Sequence, residues 1–290
     1  MGKLNIYEIK GIIAAALLED IGSGDITTQL TVPEDVGIQA ELIAMEDGII
    51  AGLELAAMTF TFDSPGNVGF CPLIKEGERV GCDQVFAKVQ GSAQAILRTE
   101  RVALNFLQWL SGIATLTARY VTAIKGYPVK IYDTRKTTPS LRMLEKYGVR
   151  VGGGYNHRFG LYDGILIKEN HIRSAGGIKE TVKRAKAANM EIEVETETLD
   201  EVREAVSTGV DIIMLDNMDT AVMKEAVDII RKGEGKRILI EASGGINLEN
   251  ILDVAATGVD RISIGEITHS PRILDISLEV RTPDMDIVSC

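Results

Sequence analysis

The segment of the chain with most capacity for chemistry is Asp133-Thr134-Arg135-Lys136-Thr137-Thr138-Pro139, two adjacent cations among hydroxyls. A guanidinium presents a planar fork that grips a carboxylate in bidentate fashion, whereas a lysine ammonium is a point charge suited to phosphate. A ligand carrying both groups fits such a pair. A second cationic pair, His157-Arg158, follows Gly152-Gly153-Gly154-Tyr155-Asn156, where missing side chains let the backbone turn sharply or approach a ligand. Lys168 closes the apolar run 164–167. Arg101 falls in a long helical stretch, expected from Thr99 as N-cap to about Lys125. There a cation in the first turn opposes the macrodipole at a cost of ~0.3–1 kcal/mol and calls for a compensating anion.

Carboxylates recur at matching places. Glu193 and Glu195 are two apart on one predicted strand and so face one side, while Asp216 and Glu241 end later strands. The expectation is four carboxylates converging on one mouth with Lys168 and the arginines, a preorganised charge network. Ser243-Gly244-Gly245, then Asn247 opening a predicted helix over 248–257, offers free backbone N–H groups to an anion, with Gly265 at the end of the next strand.

These side chains need a scaffold that gathers them. Short apolar segments at 129–133, 164–168, 191–195, 211–216, 237–241 and 261–265 alternate with helix-compatible stretches such as 199–207 and 220–232. Such a βα repeat means a parallel sheet, with active-site residues at the C-terminal strand ends. Six strands fall short of a closed eight-stranded barrel, and no G-x-G-x-x-G opens the first unit. The N-terminal half reads differently: an amphipathic stretch over 5–20, strand-like runs at 38–45, 85–89 and 93–97, and turn glycines between them. The fold class expected is α/β: an N-terminal α+β domain over 1–112, then an open, TIM-like α/β barrel over 113–271. The tail 272–290 is expected to pack back on the first domain.

With 31 Lys and Arg against 42 Asp and Glu, the chain has a formal net charge of -11, which disfavours nucleic acid and anionic membranes as partners. No apolar run approaches the ~18–20 residues of a transmembrane helix, and the start shows no signal peptide. A cytoplasmic protein with reduced thiols at Cys71, Cys82 and Cys290 is expected, without structural zinc. One window departs from the acidic average. Residues 134–173 hold eight Lys and Arg against three Asp and Glu, a formal +5, and are read as a receptor for small anions.

Taken together, these motifs resemble the nicotinate-nucleotide pyrophosphorylases, also called quinolinate phosphoribosyltransferases. The resemblance extends from Glu19-Asp20-Ile21-Gly22-Ser23-Gly24-Asp25 to His269-Ser270 and includes Glu100 to Asn105, Ile167 to His171 and Met214 to Asn217. It implies transfer of phosphoribose from phosphoribosyl pyrophosphate (PRPP) to quinolinate with decarboxylation, in NAD biosynthesis. It also implies a homodimer, or a higher oligomer, in which Arg101 reaches the partner's site.

By the same resemblance Arg101, Thr134, Arg135, His157, Arg158 and Lys168 hold quinolinate, while Lys136 and Lys168 meet the donor or its developing charge. Glu195 and Asp216 hold ribose hydroxyls and Mg2+, and Ser243, Gly244, Gly245 and Gly265 cradle the 5-phosphate. Lys136, Lys168, Glu195 and Asp216 make up the implied catalytic set. Ser140 departs from the family, which usually has Gly after Pro139. Three alternatives stand beside this: phosphoribosyl transfer to another acceptor such as nicotinate, a Schiff-base aldolase using Lys168, and a non-catalytic phosphometabolite-binding module.

Overall fold

A computed structural model describes residues 6–64, 66–233 and 235–281. Helices α1 (Ile6–Ile21) and α2 (Ile26–Thr31) lead into β1 (Gly37–Ala44), β2 (Gly48–Ile49), α3 (Leu53–Phe60), β3 (Val68–Pro72), β4 (Arg79–Val80), β5 (Gln84–Ser92) and α4 (Ala93–Ala123). Then come β6 (Lys130–Tyr132), α5 (Arg142–Val151), β7 (Ile165–Ile167), α6 (Glu169–Ala175), α7 (Ile178–Ala185), β8 (Ile192–Thr196), α8 (Leu199–Thr208), β9 (Ile212–Asp216) and α9 (Thr220–Lys232). The chain closes with β10 (Leu239–Ser243), α10 (Ile251–Ala255), β11 (Arg261–Ser263), α11 (Glu266–His269) and β12 (Ile276–Arg281). Of the described residues, those up to 116, 139–152 and from 271 form one compact unit, and those of 117–138 and 153–270 form the other.

The first unit is built on an antiparallel sheet of order β12-β1-β5-β3. Its core joins Leu42, Phe60, Phe86 and Ile276 to Ala103, Leu104 and Leu107 of α4, whose spacing of three to four keeps them on one helix face. Each large side chain so buried contributes ~1.5–3 kcal/mol. Strand β12 pairs with β1, Leu278 opposite Leu42. Residues 282–290 of the tail lie outside the described residues.

Two expectations fail in α4. Residues 93–97 are helical rather than a strand, and Thr99 is not the N-cap: it is buried, and its Oγ1 donates to Ala95 O at 2.9 Å. Ser92 ends β5, its Oγ accepting from the Ala95 N–H at 3.4 Å, and the helix-favouring Ala-Gln-Ala that follows carries the start forward. Arg101 therefore sits beyond the first turn, and the expected conflict with the helix dipole does not arise. The reduced-thiol expectation also needs correction. Cys71 is disulfide-bonded and Cys82 is a free, exposed thiol, since an odd count forbids only complete pairing.

The second unit holds six parallel strands in the order β6-β11-β10-β9-β8-β7. Runs such as Ile212-Ile213-Met214-Leu215 are buried throughout, as a strand covered on both faces requires. The helices between carry strong end signals. Thr198 and Glu201 form a capping box on α8, and Asp219 accepts from the Ala221 and Val222 N–H groups at the start of α9. α10 is shorter than expected: Asn247 Oδ1 accepts from the N–H groups of Glu249 and Asn250 at 2.9 and 3.2 Å, so an Asx turn replaces the first helical turn. No described helix is long and apolar enough to cross a membrane.

Candidate active site

A cavity of about 810 Å³ opens at the C-terminal strand ends of the second unit. Thr134, Arg135 and Lys136 line it after β6, His157 and Arg158 before β7, and Lys168 after β7. Glu195 of β8 and Asp216 of β9 lie opposite, with Ser243, Gly244 and Gly245 after β10 and Gly265 after β11. Residues at both edge strands and all four between thus meet in one space, so the sheet is curled around it. Every site residue expected from the sequence is here except Arg101, which is exposed on α4 in the first unit.

The loop carrying His157 and Arg158 is fastened to the edge of β6. The Tyr155 N–H donates to Ile131 O at 2.8 Å, and the Asp133 N–H donates to Tyr155 O at 3.1 Å. The fully buried Asp133 carboxylate accepts from Asn156 Nδ2 at 2.6 Å and from the His157 N–H at 2.8 Å. Asp133 and Asn156 were missed as functional positions. A lone aspartate ending an apolar strand just before two cations is the signal that could have found them.

Charge at the site is unbalanced. Among the described residues no carboxylate pairs with Arg135, Lys136 or Arg158, and the Nε atoms of both arginines are buried without a partner. Arg158 spends one amino group on Gly164 O at 3.0 Å, and burial with the nearby Arg135 charge lowers its pKa. Partly desolvated like charges are costly until an anion arrives. Lys168, by contrast, is ion-paired with Glu195 and half-exposed, which is the opposite of the desolvated amine a Schiff-base enzyme needs.

Beside Asp216, Asn217 shapes the glycine loop. Its Nδ2 donates to Asp216 Oδ2 at 2.7 Å, and its N–H donates to Ser243 O at 2.9 Å. Gly244 has φ +87°, and a Cβ there would lie 2.3 Å from Asn217 Oδ1, so only glycine fits. Gly245 (φ +63°) faces open space. Thr268 Oγ1 donates to Lys136 O at 2.7 Å, fixing the cationic loop from α11. Asn247, expected beside the glycine loop, lines the cavity; Asn217, His269 and Ser270 also line it and were not assigned from sequence, though they stood within quoted motifs.

Three expectations change. The four carboxylates do not share one mouth: Glu195 and Asp216 do, whereas Glu193 and Glu241 are buried below them against His157, at 3.0 and 3.5 Å from its Nε2. Burial and the Glu193 charge push the Glu241 carboxyl up to about 8. The cationic window is also not one receptor. Arg142, Lys146 and Arg150 belong to α5 in the first unit, and Arg173 pairs with Glu169. Finally, no helix opens at Asn247, so the backbone of 243–245 alone presents the expected anion cradle.

The arrangement is three cations, Arg135, Lys136 and Arg158, with no carboxylate partner among the described residues, facing a glycine loop and two carboxylates. The sequence model of the quinolinate phosphoribosyl transferase C-terminal domain matches residues 113–279, and that of the N-terminal domain matches residues 25–111. The chain belongs to the quinolinate phosphoribosyltransferase family. Within it, the chain is 44% identical to a probable nicotinate-nucleotide pyrophosphorylase [carboxylating] of Bacillus subtilis, over 99% of this chain and 98% of that one. A protein of the same name in Synechocystis is 48% identical over 91% of this chain and 90% of its own. The crystal structure of NadC from Streptococcus pyogenes superimposes with a TM-score of 0.91 at 40% identity, covering 96% of this chain and 98% of that chain.

Proposed function

We infer that this family member transfers the phosphoribosyl group of phosphoribosyl pyrophosphate to quinolinate with decarboxylation, giving nicotinate mononucleotide, pyrophosphate and carbon dioxide for NAD biosynthesis. The observation that carries this reading is the pair of half-buried arginines, Arg135 and Arg158, with no carboxylate partner among the described residues, in the cavity that also holds the Ser243-Gly244-Gly245 loop. A dicarboxylate neutralises two guanidiniums where a monocarboxylate leaves one bare.

Arg135 and Arg158 grip the carboxylates, with Thr134 beside them and Arg101 supplied by the other subunit of a homodimer. The ring nitrogen attacks the anomeric carbon as its bond to pyrophosphate breaks, and the leaving group keeps the electron pair. Positive charge developing on the ribose is met by Glu195 and Asp216, while Lys136 and Lys168 meet the departing oxygens. Gly244, Gly245 and Gly265 receive the 5-phosphate. Loss of carbon dioxide then sends the carbon–carbon pair into the cationic ring, and a proton replaces the carboxylate. No covalent bond to the protein is needed, so placement and exclusion of water supply the rate. Glu195 and Asp216 suit Mg2+, a hard cation held by one or two carboxylates together with substrate phosphates. When bound, it neutralises pyrophosphate charge. The working compartment is the cytoplasm.

The purified chain with quinolinate, phosphoribosyl pyrophosphate and Mg2+ should release pyrophosphate and form nicotinate mononucleotide. Turnover of nicotinate but not quinolinate would overturn this assignment in favour of a different acceptor. No turnover of either would leave a binding module.

A further inference from the structure

Among the described residues three carboxylates line the cavity, and each is tied to a neighbour. Glu195 pairs with Lys168, and Asp216 accepts from the Asn217 amide. The third, Glu266, has no part in the reaction above, although it follows Gly265 at the end of the cavity that receives the 5-phosphate. Its Oε2 accepts a hydrogen bond from the Tyr120 hydroxyl. Tyr120 lies in the last turn of α4, within the second unit, and has no exposure to solvent. A buried hydroxyl needs an acceptor, and here the acceptor is a charged side chain from the cavity wall. Burial, then the hydrogen bond and charge of Glu266, push the Tyr120 phenol well above its ordinary range, so it remains a donor at neutral pH.

Lys136 passes the same place. A Cβ on Gly265 would lie 3.0 Å from Lys136 Cδ, and the Thr268 hydroxyl of α11 donates to Lys136 O at 2.7 Å. The lysine stem therefore runs beside the residue that precedes Glu266. A loose carboxylate at this point would interfere in two ways, repelling the phosphates of the donor and offering Lys136 an ion pair within the protein. We propose that Tyr120 is a positioning residue for donor binding, its hydroxyl tying the Glu266 carboxylate to the cavity wall so that Lys136 and the glycine cradle stay open to phosphate. This rests on the PRPP reading of the cavity and deepens it. Tyr120 touches neither substrate and acts only through Glu266, so its contribution to donor binding vanishes once residue 266 carries no charge.

Steady-state kinetics of the full protein with both substrates and Mg2+ test this. Tyr120→Phe keeps the ring and removes one oxygen. It should raise the PRPP KM about tenfold, change kcat far less and leave the quinolinate KM within about twofold. Adding Glu266→Gln to that variant should recover most of the loss. Glu266→Gln alone should use the donor at least as well as the wild type, its amide oxygen accepting from Tyr120 in place of the carboxylate. A double variant no better than Tyr120→Phe, equal rises in both KM values, a loss confined to kcat or an unchanged PRPP KM would each overturn the proposal. So would a large rise for Glu266→Gln alone, which would make Glu266 itself a donor ligand. Should Tyr120→Phe fail to fold, Glu266→Asp decides: it keeps the charge but is one methylene short of the hydroxyl, and should raise the PRPP KM where Glu266→Gln does not. Equal values for those two variants would again refute the tether. Failure of the donor reading itself shows separately, as absent pyrophosphate release by the wild-type chain.

Discussion

Asp133 and Asn156 are 23 residues apart in the chain and 2.6 Å apart in space, the amide donating to a carboxylate with no exposure to solvent. This contact fastens the loop of His157 and Arg158 to the end of β6. Asp133→Ala should destabilise the protein by ~2–4 kcal/mol, because two N–H donors lose a buried charged acceptor. In urea melts at neutral pH that loss should appear beside a raised quinolinate KM. Unchanged stability would contradict the fastening role.

Arg135→Lys tests the fork against the point charge. The charge is kept and the bidentate geometry lost, so the quinolinate KM should rise ~10–100-fold with little change in that for phosphoribosyl pyrophosphate. Equal effects on both substrates would mean that Arg135 serves the donor.

Arg101 is exposed on α4, and its proposed role is in the partner's cavity. Arg101→Ala and Arg135→Ala should each be nearly inactive alone. Mixed subunits that assort at random should recover about a quarter of wild-type activity, since half the dimers carry one intact site. Verified mixed dimers without activity would place both residues in one subunit's site.

Glu241 makes a prediction about pH. Its folded carboxyl lies at about 8 against an ordinary value of 4.5, so between those pH values the folded state keeps a proton that the unfolded chain releases. The contribution to stability is full below about pH 4.5 and is lost as pH rises to 8, on the order of a few kcal/mol in all. Glu241→Gln should abolish that slope. Parallel denaturation curves for the two proteins at pH 5 and 8 would contradict it.

Much of the second unit was legible because its strands are apolar runs closed by charged or small residues, and α9 spans the 220–232 stretch expected to be helical. What the sequence hid was depth. Glu193 and Glu195 share a face, yet one lies in a buried layer and the other at the mouth, a distinction set by strand register across the sheet. The same holds for His157, whose contact with the buried Glu193 and Glu241 no spacing along the chain reveals. In the first unit the strand-like Ala93–Leu97 became helix because Ser92 supplies a cap and α4 buries an apolar face, neither of which a short window reveals. Ser140 is a different case: it occupies the left-handed region at φ +68°, the reason a glycine is at home there.

The segment at Tyr155 adds a single rung of parallel pairing to β6, opposite Tyr132. A full barrel would seal that seam with a permanent strand, whose amides would all be occupied. Here the segment on that seam also carries Arg158 into the cavity, so the last rung of the sheet and the anion site share one loop. Ligand occupancy should therefore be read out in the hydrogen-exchange protection of the Asp133 and Tyr155 amides, far more than in the helices outside.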